Sequence, residues 1–153
     1  MVSLKEITEE NFNKVIELEV CDTQKNFVAR NIYSLAQAWL YYKNAYPFAI
    51  YNDDIMVGFL MLGSDWDRDG SDKSYGLWRL MIDKKYQGQG YGKQAVQVLI
   101  DYVKQNFNPE TFVTSVVPGN EAAEKLYASL GFTPNGEYDD DEKVMVLSLK
   151  DCE

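Results

Sequence analysis

Residues 2–7 alternate apolar and polar side chains, the period-2 pattern of a half-buried strand. Thr8 then offers an N-cap hydroxyl, and Glu9 and Glu10 suit the positive end of a helix. Phe12, Val15, Ile16 and Glu19 share one face of that helix. A second helix is predicted over residues 31–42, with Ile32, Leu35, Ala36, Trp39 and Leu40 as its stripe and Pro47 beyond its end. Two β-rich runs flank Asn52, Asp53 and Asp54, which predicts a hairpin, and a polar loop follows over 64–74. An apolar strand over 75–83 leads to a helix over 94–105, striped by Ala95, Val96, Leu99, Tyr102 and Val103. Residues 111–117 read as a strand. Asn120 caps the next helix, whose stripe is Ala123, Leu126, Tyr127 and Leu130 and whose stop is Gly131. Residues 132–138 and 143–149 then pair across an acidic turn. The predicted order is β-α-α-β-β-β-α-β-α-β-β, a single mixed α/β domain over residues 1–153 with no internal repeat or linker.

Composition changes this picture in three ways. There is no histidine, so every Ser-His, Cys-His and His-metal mechanism is excluded, and any acid or base must be Asp, Glu, Tyr, Lys, Cys or water. The formal net charge is −9, which disfavours nucleic acid and favours a cationic partner, although acidity also serves solubility alone. Cys21 and Cys152 have neither metal-ligand nor redox spacing. No apolar run approaches the ~20 residues that span a membrane, and the first residues lack the pattern of a secretory signal. A reduced, cytoplasmic protein without a membrane partner is the expectation.

The stretch KKYQGQGYGKQ, residues 84–94, lies between the apolar run Leu80-Met81-Ile82 and a helix. Glycines at such a turn let backbone N–H groups approach a phosphate. A dinucleotide fingerprint starting at Gly88 would need glycine where Lys93 stands. An ATP-type loop would need one more residue between Gly88 and Gly92, and Ser or Thr where Gln94 stands. Asp65-Trp-Asp67-Arg-Asp69-Gly70 looks like the start of a calcium loop, but its twelfth position is Gly76 rather than Glu. A hairpin loop without metal is the better account.

Gln87-x-x-Gly90-x-Gly92 resembles the acyl-CoA loop of the GCN5-related N-acetyltransferases, the GNAT superfamily. Asn120 through Tyr127, followed by Leu130-Gly131-Phe132, resembles that family's second signature. The element order matches over almost the whole chain. RLMIDKKYQGQGYGK, NGE at 135–137 and EKVM at 142–145 look like bacterial spermine/spermidine acetyltransferases.

The resemblance implies a mixed, mostly antiparallel sheet flanked by helices, with a V-shaped cleft for acetyl-CoA. It implies that the backbone of Leu80, Met81 and Ile82 pairs with the pantetheine arm. Gln87, Gly88, Gln89, Gly90, Tyr91, Gly92 and Lys93 would hold the pyrophosphate. Asn120 would contact the cosubstrate near its reactive end. Tyr127 would protonate the departing thiolate, and a backbone N–H of the splayed strand would stabilise the oxyanion. Where some polyamine-acetylating relatives carry a glutamate base, this chain has Trp78, which would line the acceptor site. The base must then come from elsewhere or be water alone; Glu19 is the candidate if its helical face is buried, and a solvated residue if the helix ends before it. In the acidic turn, Asp140 or Glu142 would attract a second ammonium of the acceptor, or the turn is simply solvated. Neither cysteine has the neighbours of a nucleophile, so direct transfer to a small cationic amine in a ternary complex is expected. Related enzymes are often dimers, and a homodimer is expected on that basis. The alternatives are another amine acceptor (a protein N-terminus, an aminoglycoside or an amino acid) and a non-catalytic CoA-binding sensor.

Overall fold

The computed structural model describes residues 1–66 and 73–150. Seven strands form one sheet in the spatial order β1-β2-β3-β4-β5-β7-β6. The strands are β1 Val2–Glu6, β2 Ala45–Asn52, β3 Ile55–Trp66, β4 Lys73–Ile82, β5 Thr111–Val116, β6 Thr133–Asp139 and β7 Glu142–Ser148. The helices are α1 Phe12–Glu17, α2 Asn31–Leu40, α3 Tyr91–Asn106 and α4 Glu121–Ser129. Short 3-10 turns at Asp22–Gln24 and Lys84–Tyr86 are added to the predicted order. All neighbouring strands are antiparallel except β4 and β5.

Strand alternation builds two cores, one on each face of the sheet. Along β3, Val57, Leu60 and Leu62 pack with Ala95, Val96, Leu99 and Val103 of α3 and with Tyr127 of α4. Met56, Phe59 and Met61 face the other way, against Val15 of α1 and Ala38 of α2. The sheet is thus sandwiched between α1/α2 and α3/α4.

Several local expectations change. The Thr8 carbonyl accepts the Asn11 and Phe12 N–H groups, and its own N–H donates to Asn11 Oδ1 at 2.8 Å. Thr8 therefore opens a turn rather than capping α1, which starts later and ends at Glu17. The predicted stripe of α2 is largely on the surface: Ile32, Trp39 and Leu40 are 46%, 78% and 70% exposed. Asn31, Ser34 and Ala38 are buried instead. The Asn31 Nδ2 donates to the Val15 carbonyl at 2.8 Å, so a polar tie to α1 orients the helix against its own apolar pattern. Pro47 sits inside β2, one residue past the end of the pairing with β1 at Glu6↔Phe48, where its missing N–H leaves no gap. β3 and β4 run further into the predicted polar loop than expected, and residues 67–72 of the calcium-like segment lie outside the described residues.

The join between β4 and β5 positions everything that follows. They pair only at Tyr75↔Phe112, Gly76↔Val113 and Leu77↔Thr114. In the register with β3, Leu77 faces Leu62 and Arg79 faces Met61, so Trp78 is bulged out. A bulge bends its strand, and β4 parts from β5 at that residue. Gly76 lies where the strands are still joined, and a Cβ there would stand 2.8 Å from the Val113 carbonyl oxygen. Gly76→Ala is expected to destabilise the fold by about 1–3 kcal/mol through overpacking, read as a lower urea midpoint at unchanged m-value.

Candidate active site

A cleft of ≈660 Å³ opens where β4 leaves β5. One wall is β4 from Leu77 to Ile82, and the opposite wall includes Thr114, Ser115, Asn120, Leu126 and Tyr127. Beyond Leu77 the edge of β4 has no β5 partner, so its backbone can bond an extended ligand.

The glycine loop closes one end. Gly90 is the residue before α3 and has φ 84°, a left-handed conformation that favours glycine. It supplies no side-chain cap, and no acidic residue lies in the first turn. The first helical bond runs from the Gln94 N–H to the Gly90 carbonyl. The N–H groups of Tyr91, Gly92 and Lys93 precede that bond, at the positive end of a 16-residue helix. Lys25 and Lys93 line the same cleft. These features fit an anionic pyrophosphate.

Individual loop residues differ from expectation. The Gln87 Nε2 donates to the Ile82 carbonyl and to Gln24 Oε1, both at 2.9 Å. That side chain lines the cleft and braces the loop against β4 and the first 3-10 turn. Gln89 is exposed and off the cleft wall. Gly92 is already helical, and a Cβ there would meet Leu126 Cδ1 at 3.3 Å, so its smallness lets α3 pack on α4. Asn120 caps α4 as expected, with Oδ1 accepting the Ala123 N–H at 3.3 Å.

Tyr127 stands at the bottom of the fork and is 6% exposed. Burial pushes its phenol up to about 12, and the Thr114 hydroxyl pulls it back in part. Thr114 itself donates from Oγ1 to the Leu77 carbonyl at 3.3 Å, across the last pair that joins β4 to β5. Tyr127 therefore keeps its proton throughout the neutral range and is present as a donor for a group that gains negative charge beside it.

A second cavity, ≈670 Å³, lies on the α2 side. Gln37, Tyr41, Ser64, Trp78, Arg79, Asp139 and Glu142 are among its lining residues. Leu77, Trp78, Arg79, Thr114, Ser115 and Glu142 line both cavities, so the two meet at the fork. The Trp78 ring packs against Tyr41 with centroids 6.1 Å apart. Arg79 donates to Gln37 Oε1 at 2.8 Å and to the Trp78 carbonyl at 3.2 Å. Both side chains turn towards α2, because a bulge puts consecutive residues on one face.

Two acidic expectations are corrected by geometry. Glu19 lies beyond α1, on neither cavity wall, with a half-exposed side chain 3.8 Å from both Lys25 and Lys84. Its face is not buried because the helix stops at Glu17, and surface pairing of this kind is weak. Asp140 sits exposed at the tip of the β6–β7 turn with φ 54°, away from both cavities. Glu142 lines both, and Asp139 lines the second. Thr114, Ser115, Arg79, Asp139 and Lys25 were missed. Alternation along residues 111–117 signals that Thr114 and Ser115 face opposite ways, but no local pattern marks where the strands divide. Among the described residues, no three His, Cys, Asp or Glu side chains gather as a metal site. No described helix is long and apolar enough to cross a membrane.

The chain matches the acetyltransferase (GNAT) family over residues 7–132. It is 33% identical to a probable spermine N(1)-acetyltransferase of Bacillus subtilis subsp. natto (strain BEST195), covering 97% of this chain and 99% of that protein. It is 32% identical, with the same coverage, to a spermine/spermidine N(1)-acetyltransferase of Bacillus subtilis (strain 168). Its fold is similar to the spermidine N-acetyltransferase of Vibrio cholerae in complex with CoA and spermine, with a TM-score of 0.73 at 15% identity, covering 96% of this chain and 95% of that one.

The buried phenol makes a stability prediction. The folded protein holds the Tyr127 proton to about pH 12, whereas an unfolded tyrosine releases it near 10. This contribution is fully present below pH 10 and is lost as pH rises towards 12. Between those limits, unfolding free energy is expected to fall about 1.4 kcal/mol per pH unit more steeply for the wild type than for Tyr127→Phe, in urea titrations.

Proposed function

This chain belongs to the acetyltransferase (GNAT) family and is an N-acetyltransferase, and on that premise we propose that it acetylates a polyamine of the spermine/spermidine class by direct transfer. Acetyl-CoA supplies the acetyl group as a thioester. The observation that carries the reading is the meeting of two unlike cavities at one fork. One has an uncapped helix N-terminus and lysines, suited to a pyrophosphate, although the chain carries a net charge of −9. The other has Asp139 and Glu142, suited to ammonium groups. The relatives named for spermine and spermidine support the choice of acceptor.

In this reading the N–H groups at 91–93, with Lys93 and Lys25, bind the pyrophosphate. The unpaired edge of β4 over 80–82 holds the pantetheine arm as an added strand. Asn120 keeps the start of α4 in place beside the reacting end. Tyr127, itself buried at the base of the cleft, gives its proton to sulfur as the thiolate leaves. Trp78 and Tyr41 form an apolar wall for the methylene chain of the acceptor.

A second reading rests on Arg79, a half-buried cation in the acceptor cavity. It suits an amine that also carries a carboxylate, such as an amino acid.

Release of free thiol from acetyl-CoA across a panel of polyamines, amino acids, aminoglycosides and peptide N-termini separates these readings. Spermidine and spermine are expected to give the highest kcat/KM; preference for an amino acid would move the acceptor to the second reading. Tight acetyl-CoA binding without turnover on any amine would instead indicate a sensor. Tyr127→Phe is expected to lower kcat about a hundredfold, with the Kd for acetyl-CoA largely unchanged by calorimetry. Gly90→Val is expected to raise that Kd about tenfold or more, because φ 84° strains a β-branched residue.

A further inference from the structure

We propose that Glu142 is the general base of the reaction, taking the proton from the acceptor's reacting ammonium, and that Ser115 is the residue that positions it. This inference rests on the acetyltransferase reading and names a group that reading leaves open.

Among the described residues, Glu142 is the only carboxylate that lines both cavities. Its Oε1 accepts a hydrogen bond from Ser115 Oγ at 3.0 Å. Ser115 is the first residue of β5 past the last pair with β4, Leu77↔Thr114. The carboxylate is therefore anchored where the cavities join, not merely near the acceptor.

Alternation supplies the second argument. Phe112 and Val116 pack in the α3/α4 core, so Thr114, between them, faces Tyr127 on that side. Ser115 faces the α2 side, as do its cross-strand partner Val144 and, two residues back on β7, Glu142. The acid and the base thus reach the fork from opposite faces of the sheet, held by consecutive residues of one strand. A thioester lying in the fork would have its sulfur towards Tyr127 and its carbonyl carbon open to an amine from the α2 side. With no histidine in the chain, a carboxylate is the natural group for this position.

The step is a simple exchange. An N–H bond of the ammonium breaks, an O–H bond forms on Glu142, and the nitrogen keeps the electron pair with which it attacks the acetyl carbonyl carbon. A second proton leaves the nitrogen as the amide forms and restores the one that Tyr127 gives to sulfur. The proton on Glu142 passes to solvent through the open acceptor cavity.

Among the described residues, the charged and titratable groups around Glu142 are few. Arg79 on β4 feels its charge. Asp139 is its register partner on β6. Lys143, next in sequence, is turned away to Glu124 of α4 at 2.7 Å. Tyr33 and Tyr41 approach from the α2 side, around Arg79 and Trp78.

The test is the pH profile of kcat/KM on the best amine for wild type, Glu142→Gln, Glu142→Asp and Ser115→Ala, with melting temperatures as a folding control. At neutral pH Glu142→Gln is expected to lose about a hundredfold or more. Its rate should then climb about tenfold per pH unit towards the amine pKa near 10, because only amine that is already neutral can react. The wild type should level off well before that. Glu142→Asp should recover part of the neutral-pH rate, and Ser115→Ala should shift the profile the same way by a smaller amount. A Glu142→Gln profile parallel to the wild type, or an unchanged rate, overturns the proposal while leaving the acetyltransferase reading intact. A KM effect alone, with kcat unaltered at every pH, would reduce Glu142 to an ammonium contact and also overturns it. If Glu142→Gln does not fold, the Ser115→Ala profile decides by the same criterion. Absence of turnover by the wild type on every amine would overturn both readings together.

Discussion

Three residue pairs join β4 to β5, and the rest of the molecule depends on where that joining stops. A parallel pair could run the full length of β5, and the sheet would then be closed. The bulge at Trp78 bends β4 away after Leu77, and the hydrogen-bonding edges of two central strands are left apart in the middle of the protein. Unpaired backbone is costly when buried, so such a gap is tolerated only where water or a ligand can satisfy it. The cleft, its floor at Tyr127 and its opening to the α2 side all follow from this interruption.

The fork also sorts charge. The chain is strongly acidic, yet Lys25 and Lys93 lie with the uncapped start of α3 on the cleft. Carboxylates collect on the other side, on the β6–β7 hairpin. Because neighbouring residues of a strand point to opposite faces, Thr114 turns to Tyr127 and Ser115 to Glu142 at the place where the two cavities meet. Burial keeps the Tyr127 phenol protonated, and an open cavity keeps Glu142 within reach of solvent. In the proposed reaction the acid and the base are thereby kept apart on one narrow scaffold.

Much of this was legible from local pattern. The element order emerges from alternation, helical stripes and caps, and Asn120 and Gly131 bound α4 as their chemistry requires. The glycine loop pointed to a tight turn into a helix, and Gly90 takes the left-handed φ of 84° that glycine adopts most readily. Less visible was what each side chain does there. Gln87 lines the cleft and also braces the loop to Ile82 and Gln24, a role that depends on a segment 63 residues away. The helix α2 turned its polar face inward because Asn31 found the Val15 carbonyl, a partner that periodicity cannot reveal.

The sequence by itself determined the order of elements and the glycine turn before α3, because these arise from interactions within a few residues along the chain. Only the tertiary structure decided which acid matters. Glu19, Asp140 and Glu142 all carry a carboxylate, and their distances along the chain from the glycine loop say nothing about the fork. Glu19 is spent on surface lysines, Asp140 on a tight turn, and Glu142 meets Ser115 where β5 leaves β4. That meeting depends on the cross-strand register of β5 and β7 and on a bulge in β4, and both are set by packing across the whole sheet.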